Sequence, residues 1–217
     1  MALIEKLLRS KIFVWTLIVL PGLWPAWPLF VTHNPTDGAD PLKFLLHHFG
    51  FVACVLLAVV LTFTPLRVLW PRSKLAAALN RHRRLVGVAS FAYALLHLTA
   101  HVLHEGGADP ARLSAIFDTA LTKPFQLVGL LTFTILLVLT LTSPHAAVRR
   151  LGGRRWKNLH RLAYVAAALA AYHQAIARKI FPVQVLWIFV PLALLEAARV
   201  VRQRAIARAG VTRHAAH

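Results

Sequence analysis

Two apolar stretches that carry histidine determine how the chain is interpreted. Trp156-Lys-Asn-Leu-His160-Arg-Leu-Ala-Tyr164 opens a segment that runs on to Tyr172-His173, and Phe91-Ala-Tyr-Ala-Leu-Leu-His97-Leu-Thr99 lies inside another. Ionisable side chains inside a membrane span are costly and usually functional, and neutral imidazole is a common ligand of haem iron. We therefore interpret His97, His160 and His173 as a candidate haem-binding constellation.

The composition predicts an integral membrane protein. The 217 residues are 58% hydrophobic, and the mean hydropathy is +0.62. A helical span needs about 20 apolar residues to cross the hydrocarbon layer. Six such segments are present, at residues 12–31, 44–64, 85–104, 124–143, 159–177 and 181–199. We predict an all-α, six-helix transmembrane bundle over residues 12–199, with a short N-terminus (1–11) and a basic tail (200–217).

The distribution of charge predicts the orientation. The net charge is +18, which by itself would suggest a nucleic-acid partner. The location of the charge argues against a nucleic-acid partner, because all but five of the 25 lysines and arginines fall on one side of a six-span topology. The five exceptions are Lys43, Arg112, Lys123, Arg178 and Lys179. Basic loops face the cytoplasm, so we expect both termini there and basic clusters that touch lipid headgroups.

Depth in the membrane pairs two of the histidines. Spans three and five run in the same direction, and His97 lies thirteen residues beyond Arg84, a rise of roughly 20 Å. His173 reaches the same outer depth, so His97 and His173 can clamp one iron between two helices, as in a b-type haem. His101 lies on the same helical face as His97 and is the alternative ligand or a neighbour of it.

His160 does not fit the same line. Thirteen residues of a straight helix rotate by about 1300°, which leaves His160 and His173 roughly 140° apart in azimuth. A deviation of the helix or a laterally offset cofactor is therefore required. The nearest candidate partner at the depth of His160 is His82. One haem is predicted, and a second stays open.

Three further features give expectations of local structure. Pro21, Pro25 and Pro28 predict that the outer half of the first span is kinked or irregular. Glu196 is expected to pair with Arg199, three residues later on the same helix. His47 and His48, near the outer end of span two, are either interfacial polar residues or contacts for a haem propionate or a quinone.

Several motifs resemble those of a known family. The carrying stretches are Thr64-Pro-Leu-Arg67, Arg83-Arg-Leu-Val-Gly87, Ala94-Leu-Leu-His97-Leu-Thr99, Thr122-Lys-Pro124, Leu141-Thr-Ser143 and, most specifically, Arg154-Arg-Trp156-Lys-Asn-Leu-His160-Arg-Leu-Ala-Tyr164 with His173 behind it. At matching spacing over nearly the whole chain, they are similar to the MsrQ (YedZ) family. This family contains the haem-binding membrane subunits of MsrPQ methionine sulfoxide reductase systems and lies within the ferric-reductase-like transmembrane superfamily.

The resemblance implies a haem b protein of the bacterial inner membrane. It would pass electrons to a periplasmic molybdenum-containing reductase subunit that repairs oxidised methionine in proteins. The implied donors are the quinone pool or a cytosolic flavin reductase, and FMN is an associated cofactor. The family ligands correspond here to His97, His160 and His173, while His101 is a departure that the family pattern does not require.

The chain shows neither a nicotinamide-binding fingerprint nor a centre that would reduce substrate. Gly152-Gly153, in a basic turn, is not a dinucleotide-binding loop. We therefore expect reducing equivalents to arrive from another molecule and the chain to be a non-catalytic electron-transfer subunit. The alternatives are a cytochrome b-type ferric or quinone reductase with another acceptor and, in a different class, a transporter whose histidines relay protons.

Overall fold

The computed structural model describes residues 7–8, 10–31, 40–106 and 109–214, and the regular structure within these ranges is helical. In chain order the helices are α1 (Lys11–Leu23), a π-helical segment (Trp27–Val31), α2 (Pro41–Leu69), α3 (Lys74–Arg81), α4 (Arg83–Gly106), α5 (Pro110–Thr122), α6 (Pro124–Leu141), α7 (His145–Leu151), α8 (Gly153–His160), α9 (Leu162–Ile176) and α10 (Gln184–His214). The all-α prediction is confirmed.

Four of the described helices are long and apolar enough to cross a membrane: α2, α4, α6 and, within α10, Gln184–Arg208. They agree with the predicted spans two, three, four and six. The first predicted span, 12–31, is instead the 13-residue α1 followed by the π-helical segment. The fifth, 159–177, is shortened to the 15-residue α9. The last was predicted too short, because α10 continues as one helix through the basic tail to His214.

Helix α2 is the centre of the bundle. Its most extensive packing is against α4, and it also packs against α10, while α9 packs mainly on α6. In the most apolar stretch of α2, 39% of the residues are buried inside the protein, against 11% in the corresponding stretch of α10. Large apolar side chains such as Trp187 (77% exposed) therefore cover the outside of the bundle, as expected for a surface that faces lipid.

Two buried hydroxyl groups tie helices together through backbone carbonyls. The Ser90 hydroxyl on α4 donates to the Ala53 carbonyl on α2 at 2.9 Å. The Tyr93 hydroxyl donates to the Ile18 carbonyl on α1 at 2.6 Å. Both bonds satisfy polar atoms inside an apolar core and set the position of α4 against its neighbours.

The prolines of the first predicted span disrupt it as expected. Pro25 has no N–H, so it cannot bond to the Pro21 carbonyl one turn before it. His48 on α2 supplies the missing donor, with Nε2 to oxygen at 2.6 Å. Its ring stacks between Trp24, at 5.7 Å, and Phe44, at 6.2 Å. The role of His48 is therefore structural, because it holds the irregular end of α1 against α2.

Of the two alternatives left open for His160 and His173, the helix does deviate between them. Helix α8 ends at His160 and α9 starts at Leu162. Around this point Arg161 N–H donates to the Asn158 carbonyl and Tyr164 N–H to the Arg161 carbonyl, both three residues back. Such bonds tighten the helix locally and change its rotation. The two histidines are therefore not on one straight helix.

Candidate functional site

His97 on α4 and His173 on α9 meet inside the bundle, and we call them the histidine pair. Their ring centroids lie 6.1 Å apart, and their planes are nearly perpendicular, at 83°. Both side chains are partly buried. Residues 76 positions apart in sequence are thus brought together by the packing of α4 on α2 and of α9 on α6.

Each imidazole of the pair is bound through the same nitrogen. The Nδ1 of His97 lies 2.8 Å from the Leu46 carbonyl oxygen on α2. The Nδ1 of His173 lies 2.7 Å from the Phe125 carbonyl oxygen on α6. A carbonyl oxygen only accepts, so in both rings Nδ1 carries the proton.

This arrangement prepares the opposite nitrogen for a metal. With Nδ1 protonated, the Nε2 of a neutral imidazole keeps its lone pair. Among the described residues neither Nε2 makes a hydrogen bond. Histidine ligands of metals usually donate their other N–H to a carbonyl or carboxylate, which fixes the tautomer and raises ligand basicity. Both histidines of the pair donate Nδ1–H to a carbonyl in this way.

The separation of the pair also suits a shared metal. Metal–nitrogen bonds of about 2 Å, with each nitrogen about 1 Å from its own ring centre, place two opposed imidazole centres about 6 Å apart. The observed separation is 6.1 Å. Two histidines that each offer Nε2 at this separation would suit a haem iron, so the residues present fit that group.

The accepting carbonyls are positioned by the starts of their helices. Helix α2 begins with Pro41 after an N-cap Asp40, whose carboxylate accepts from the N–H groups of Leu42 and Lys43. Helix α6 begins with Pro124 at its first position, where the missing N–H costs no helical hydrogen bond. These starts place Leu46 and Phe125 within the first two turns, at the level where the histidines arrive.

His101 is held differently from His97. Its Nε2 lies 3.4 Å from Nε2 of Gln126 on α6. An amide NH₂ only donates, so this nitrogen of His101 is the acceptor and its lone pair is already used. Of the two residues that the sequence left open on this helix, His97 is the one whose ring contacts His173.

His160 lies apart from the pair, in a group with Trp156 and Thr142 that we call the His160 cluster. The Trp156 ring stacks on the imidazole, with centroids 4.1 Å apart. The Trp156 Nε1–H donates to the Thr142 carbonyl at 3.0 Å. The Thr142 hydroxyl donates to the Val138 carbonyl, so it accepts from His160, whose Nε2 lies 3.2 Å away. The Nε2 of His160 is therefore a donor.

His82, the suggested partner of His160, is engaged elsewhere. Its Nε2 lies 2.7 Å from the Leu8 carbonyl oxygen. Nor does the described part of the chain contain any cluster of three or more His, Cys, Asp or Glu residues that would hold a metal ion. Sequence analysis missed the roles of Leu46 and Phe125, which act through carbonyl oxygens and so carry no signal in their side chains.

The chain is similar to proteins of one family. Residues 49–171 match the family described as ferric reductase like transmembrane component. A relative from Ralstonia nicotianae is 41% identical over 171 residues, covering 77% of this chain and 73% of its own. A relative from Brucella ovis is 35% identical over 181 residues, covering 82% of this chain and 78% of its own. Both are described as the haem-binding subunit MsrQ of protein-methionine-sulfoxide reductase.

The chain belongs to the MsrQ family. The matched region, 49–171, runs from the third turn of α2 through most of α9 and so contains His97 and His160. His173 lies two residues beyond the end of the match. The family assignment therefore rests on the same helices that build the histidine pair.

Proposed function

We propose that the chain binds a haem b between His97 and His173 and carries electrons as the membrane subunit of a methionine sulfoxide reductase. The observation that carries this proposal is the histidine pair itself: two perpendicular imidazoles, 6.1 Å apart, each with Nδ1 bonded to a carbonyl. Membership of a family whose relatives are described as haem-binding subunits supports it.

When bound, the haem supplies a one-electron redox centre. The chain's own contribution is to hold both Nε2 atoms in place, since the carbonyls of Leu46 and Phe125 keep a proton on each Nδ1 and fix the orientation of each ring. A haem held by both histidines would serve electron transfer, because both protein nitrogens would be engaged with it. This favours an electron conduit over a proton relay, because a relaying imidazole exchanges protons at both nitrogens, whereas each Nδ1–H here is held by a carbonyl.

For the topology we propose six spans in the bacterial inner membrane, with both termini in the cytoplasm. The four span-length helices and the one-sided basic residues support it. The 15 residues of α9 rise only about 23 Å, so the end of α8 and the segment after Ile176 would complete that crossing. Helix α1 with the π-helical segment would make the first crossing.

Labelling of single cysteines tests this topology. Cys54 is the only cysteine, so a Cys54→Ser background offers clean labelling. In intact spheroplasts, a membrane-impermeant maleimide should modify Arg112→Cys on α5 but not Arg202→Cys on α10; both positions are exposed. The reverse pattern, or labelling of both, would contradict the proposed orientation.

The partners proposed follow from the family. The acceptor is a periplasmic molybdenum-containing reductase subunit, the donor is the quinone pool or a cytosolic flavin reductase, and FMN is a second cofactor. Addition of the purified acceptor to the reduced chain should reoxidise the haem, and FMN released on denaturation is measured by its fluorescence. A haem that the acceptor leaves reduced would favour a ferric or quinone reductase with another acceptor.

The haem proposal is tested on the purified full-length chain by a reduced-minus-oxidised spectrum and pyridine haemochrome quantification. His97→Ala and His173→Ala should each lose the haem, while the matched control His101→Ala, one turn along α4, should retain it. Absence of haem in the parent chain under haem-replete expression would overturn the proposal. Retention of haem by both ligand variants would overturn the choice of ligands.

His160 is proposed as the ligand of a second, inner redox site, on the strength of the family pattern. Because its Nε2 is bonded to Thr142, ligation through that nitrogen requires the hydroxyl to give way. A haem-to-chain ratio that is halved in His160→Ala would support an inner haem. An unchanged ratio and unchanged FMN content would rule the inner ligand out.

A further inference from the structure

Two glycines occupy equivalent places beside the histidine pair. Gly50 follows Leu46 by four residues on α2, and Gly129 follows Phe125 by four residues on α6. In an α-helix the carbonyl of one residue lies against the N–H of the residue four later. Each glycine is therefore next to the carbonyl oxygen that accepts from a histidine of the pair.

Neither position has room for a side chain. A Cβ on Gly50 would lie 2.8 Å from Nδ1 and 3.1 Å from Cε1 of His97. A Cβ on Gly129 would lie 2.8 Å from Cε1 and 3.0 Å from Nδ1 of His173. Favourable contacts of carbon atoms occur at about 3.5–4.0 Å, so an alanine at either place would push the imidazole off its carbonyl.

We propose that Gly50 and Gly129 are positioning residues for haem ligation, one for each ligand. The missing side chain lets the imidazole rest on the neighbouring helix, donate its Nδ1–H to the carbonyl one turn earlier and turn Nε2 to the metal. The proposal deepens the proposed function and rests on it. Its basis is that the same arrangement occurs twice. On α2 facing α4, and on α6 facing α9, a carbonyl and a glycine four residues later both contact one histidine of the pair.

A glycine inside a helix is otherwise unfavourable. It loses more conformational freedom on folding than alanine and contributes no side chain to packing. Gly87 on α4 shows the contrast, since a Cβ there would meet nothing within 4 Å. Alanine fits at Gly87 without displacing any neighbour, whereas at Gly50 and Gly129 it displaces a ligand.

The holo-protein gives the first test. Gly50→Ala and Gly129→Ala should each weaken haem binding by about 10-fold or more, the usual effect of disturbing the partner of a metal-bound histidine. Haem that remains should shift from a low-spin to a high-spin spectrum, because one axial nitrogen is displaced. The spin state reports the ligand directly, which a general loss of stability does not.

Two matched variants separate displacement of a ligand from other effects. Gly87→Ala controls for the loss of a helical glycine and should leave affinity and spin state unchanged. Gly22→Ala controls for a clash, since its Cβ would lie 2.5 Å from the Tyr93 hydroxyl oxygen. It should lower the thermal midpoint but leave the haem low-spin. Low-spin haem at parental affinity in both Gly50→Ala and Gly129→Ala would overturn the proposal.

A double-mutant cycle on haem-free full-length chain distinguishes this proposal from that of haem binding. Gly50→Ala should lower the thermal midpoint by about 3 °C or more in the parent chain but by much less in His97→Ala, where the clashing ring is gone. Gly129→Ala should behave likewise with His173→Ala. Equal shifts in both backgrounds would overturn the role of the glycines even if haem is bound. The predicted coupling in a chain that never takes up haem would leave the contact established and contradict only the proposed function.

Discussion

The histidine pair and the His160 cluster use the same side chain in opposite ways. In His97 and His173, Nδ1 donates to a carbonyl and Nε2 keeps its lone pair. In His160, Nε2 donates to the Thr142 hydroxyl and the ring is stacked on Trp156. The partner atom of each histidine decides which ring nitrogen is free. Three histidines in similar apolar helices are therefore not equally prepared to bind a metal.

Their surroundings differ as well. The histidine pair lies between backbone carbonyls. One turn beyond His160, by contrast, Tyr164 contacts a charged pair: Arg199 lies 2.8 Å from Glu196, as predicted from their spacing, and 5.6 Å from the centre of the Tyr164 ring. Substitutions at the two ends of the bundle test this contrast, and their expected effects range from loss of haem to a small change in stability.

Removal of one histidine from each place is expected to have the largest effect. We expect His173→Ala to lose the haem at the pair, since one of its two proposed ligands is removed. His160→Ala should leave that haem in place, as measured by the low-spin spectrum per chain. Equal losses in the two variants would show that the places are not distinct.

The charged pair provides a large effect on stability at the His160 end. Arg199 and Glu196 are mostly buried, with 19% and 17% of their side chains exposed. Arg199→Ala leaves a carboxylate without its partner, which should cost about 3 kcal/mol in the free energy of unfolding. Thermal unfolding in detergent measures it, and the double variant with Glu196→Gln should recover part of the loss. The haem spectrum of the histidine pair should not change; a shift to high spin would show that the two ends are coupled.

His48 is a fourth histidine that extends this contrast, because it also donates through Nε2 and is not a metal ligand in our proposal. His48→Phe keeps the ring between Trp24 and Phe44 but leaves the Pro21 carbonyl without a donor. We expect a loss of about 1–3 kcal/mol in unfolding free energy. Pro25→Ala in the same chain restores an N–H for that carbonyl and should reverse much of the loss. No reversal would mean that His48 acts by other contacts.

The smallest effect is expected at the hydroxyl that engages His160. Thr142→Val keeps the shape of the side chain and removes the acceptor for His160 Nε2. The imidazole is only partly buried, so the cost should be about 1 kcal/mol. Chemical denaturation in detergent measures it, with Thr134→Val, an exposed hydroxyl bonded to its own helix, as the control. A cost no larger than that of the control would show that the bond does not hold His160.

Much of the architecture follows from local chemistry. Four spans appear within a few residues of the apolar segments that predict them, and the irregular end of α1 follows from Pro21, Pro25 and Pro28. The predicted helix bounds were wrong where hydropathy gave no signal: α9 is shortened by the break at Arg161, and α10 extends through polar sequence. Hydropathy measures which residues prefer lipid. A helix can be interrupted where that preference continues, as before α9, and can continue where it is lost, as in α10.

Span length, residue spacing and rise per residue are enough to predict an all-helical membrane protein with two histidines at one depth. That His97 rather than His101 contacts His173, and that Nε2 is the nitrogen left free, follows from how the helices pack. Those choices depend on the carbonyls of Leu46 and Phe125 and on the space beside Gly50 and Gly129. Backbone oxygens are present at every residue, so which of them meets a histidine is settled only when helices far apart in the chain pack together.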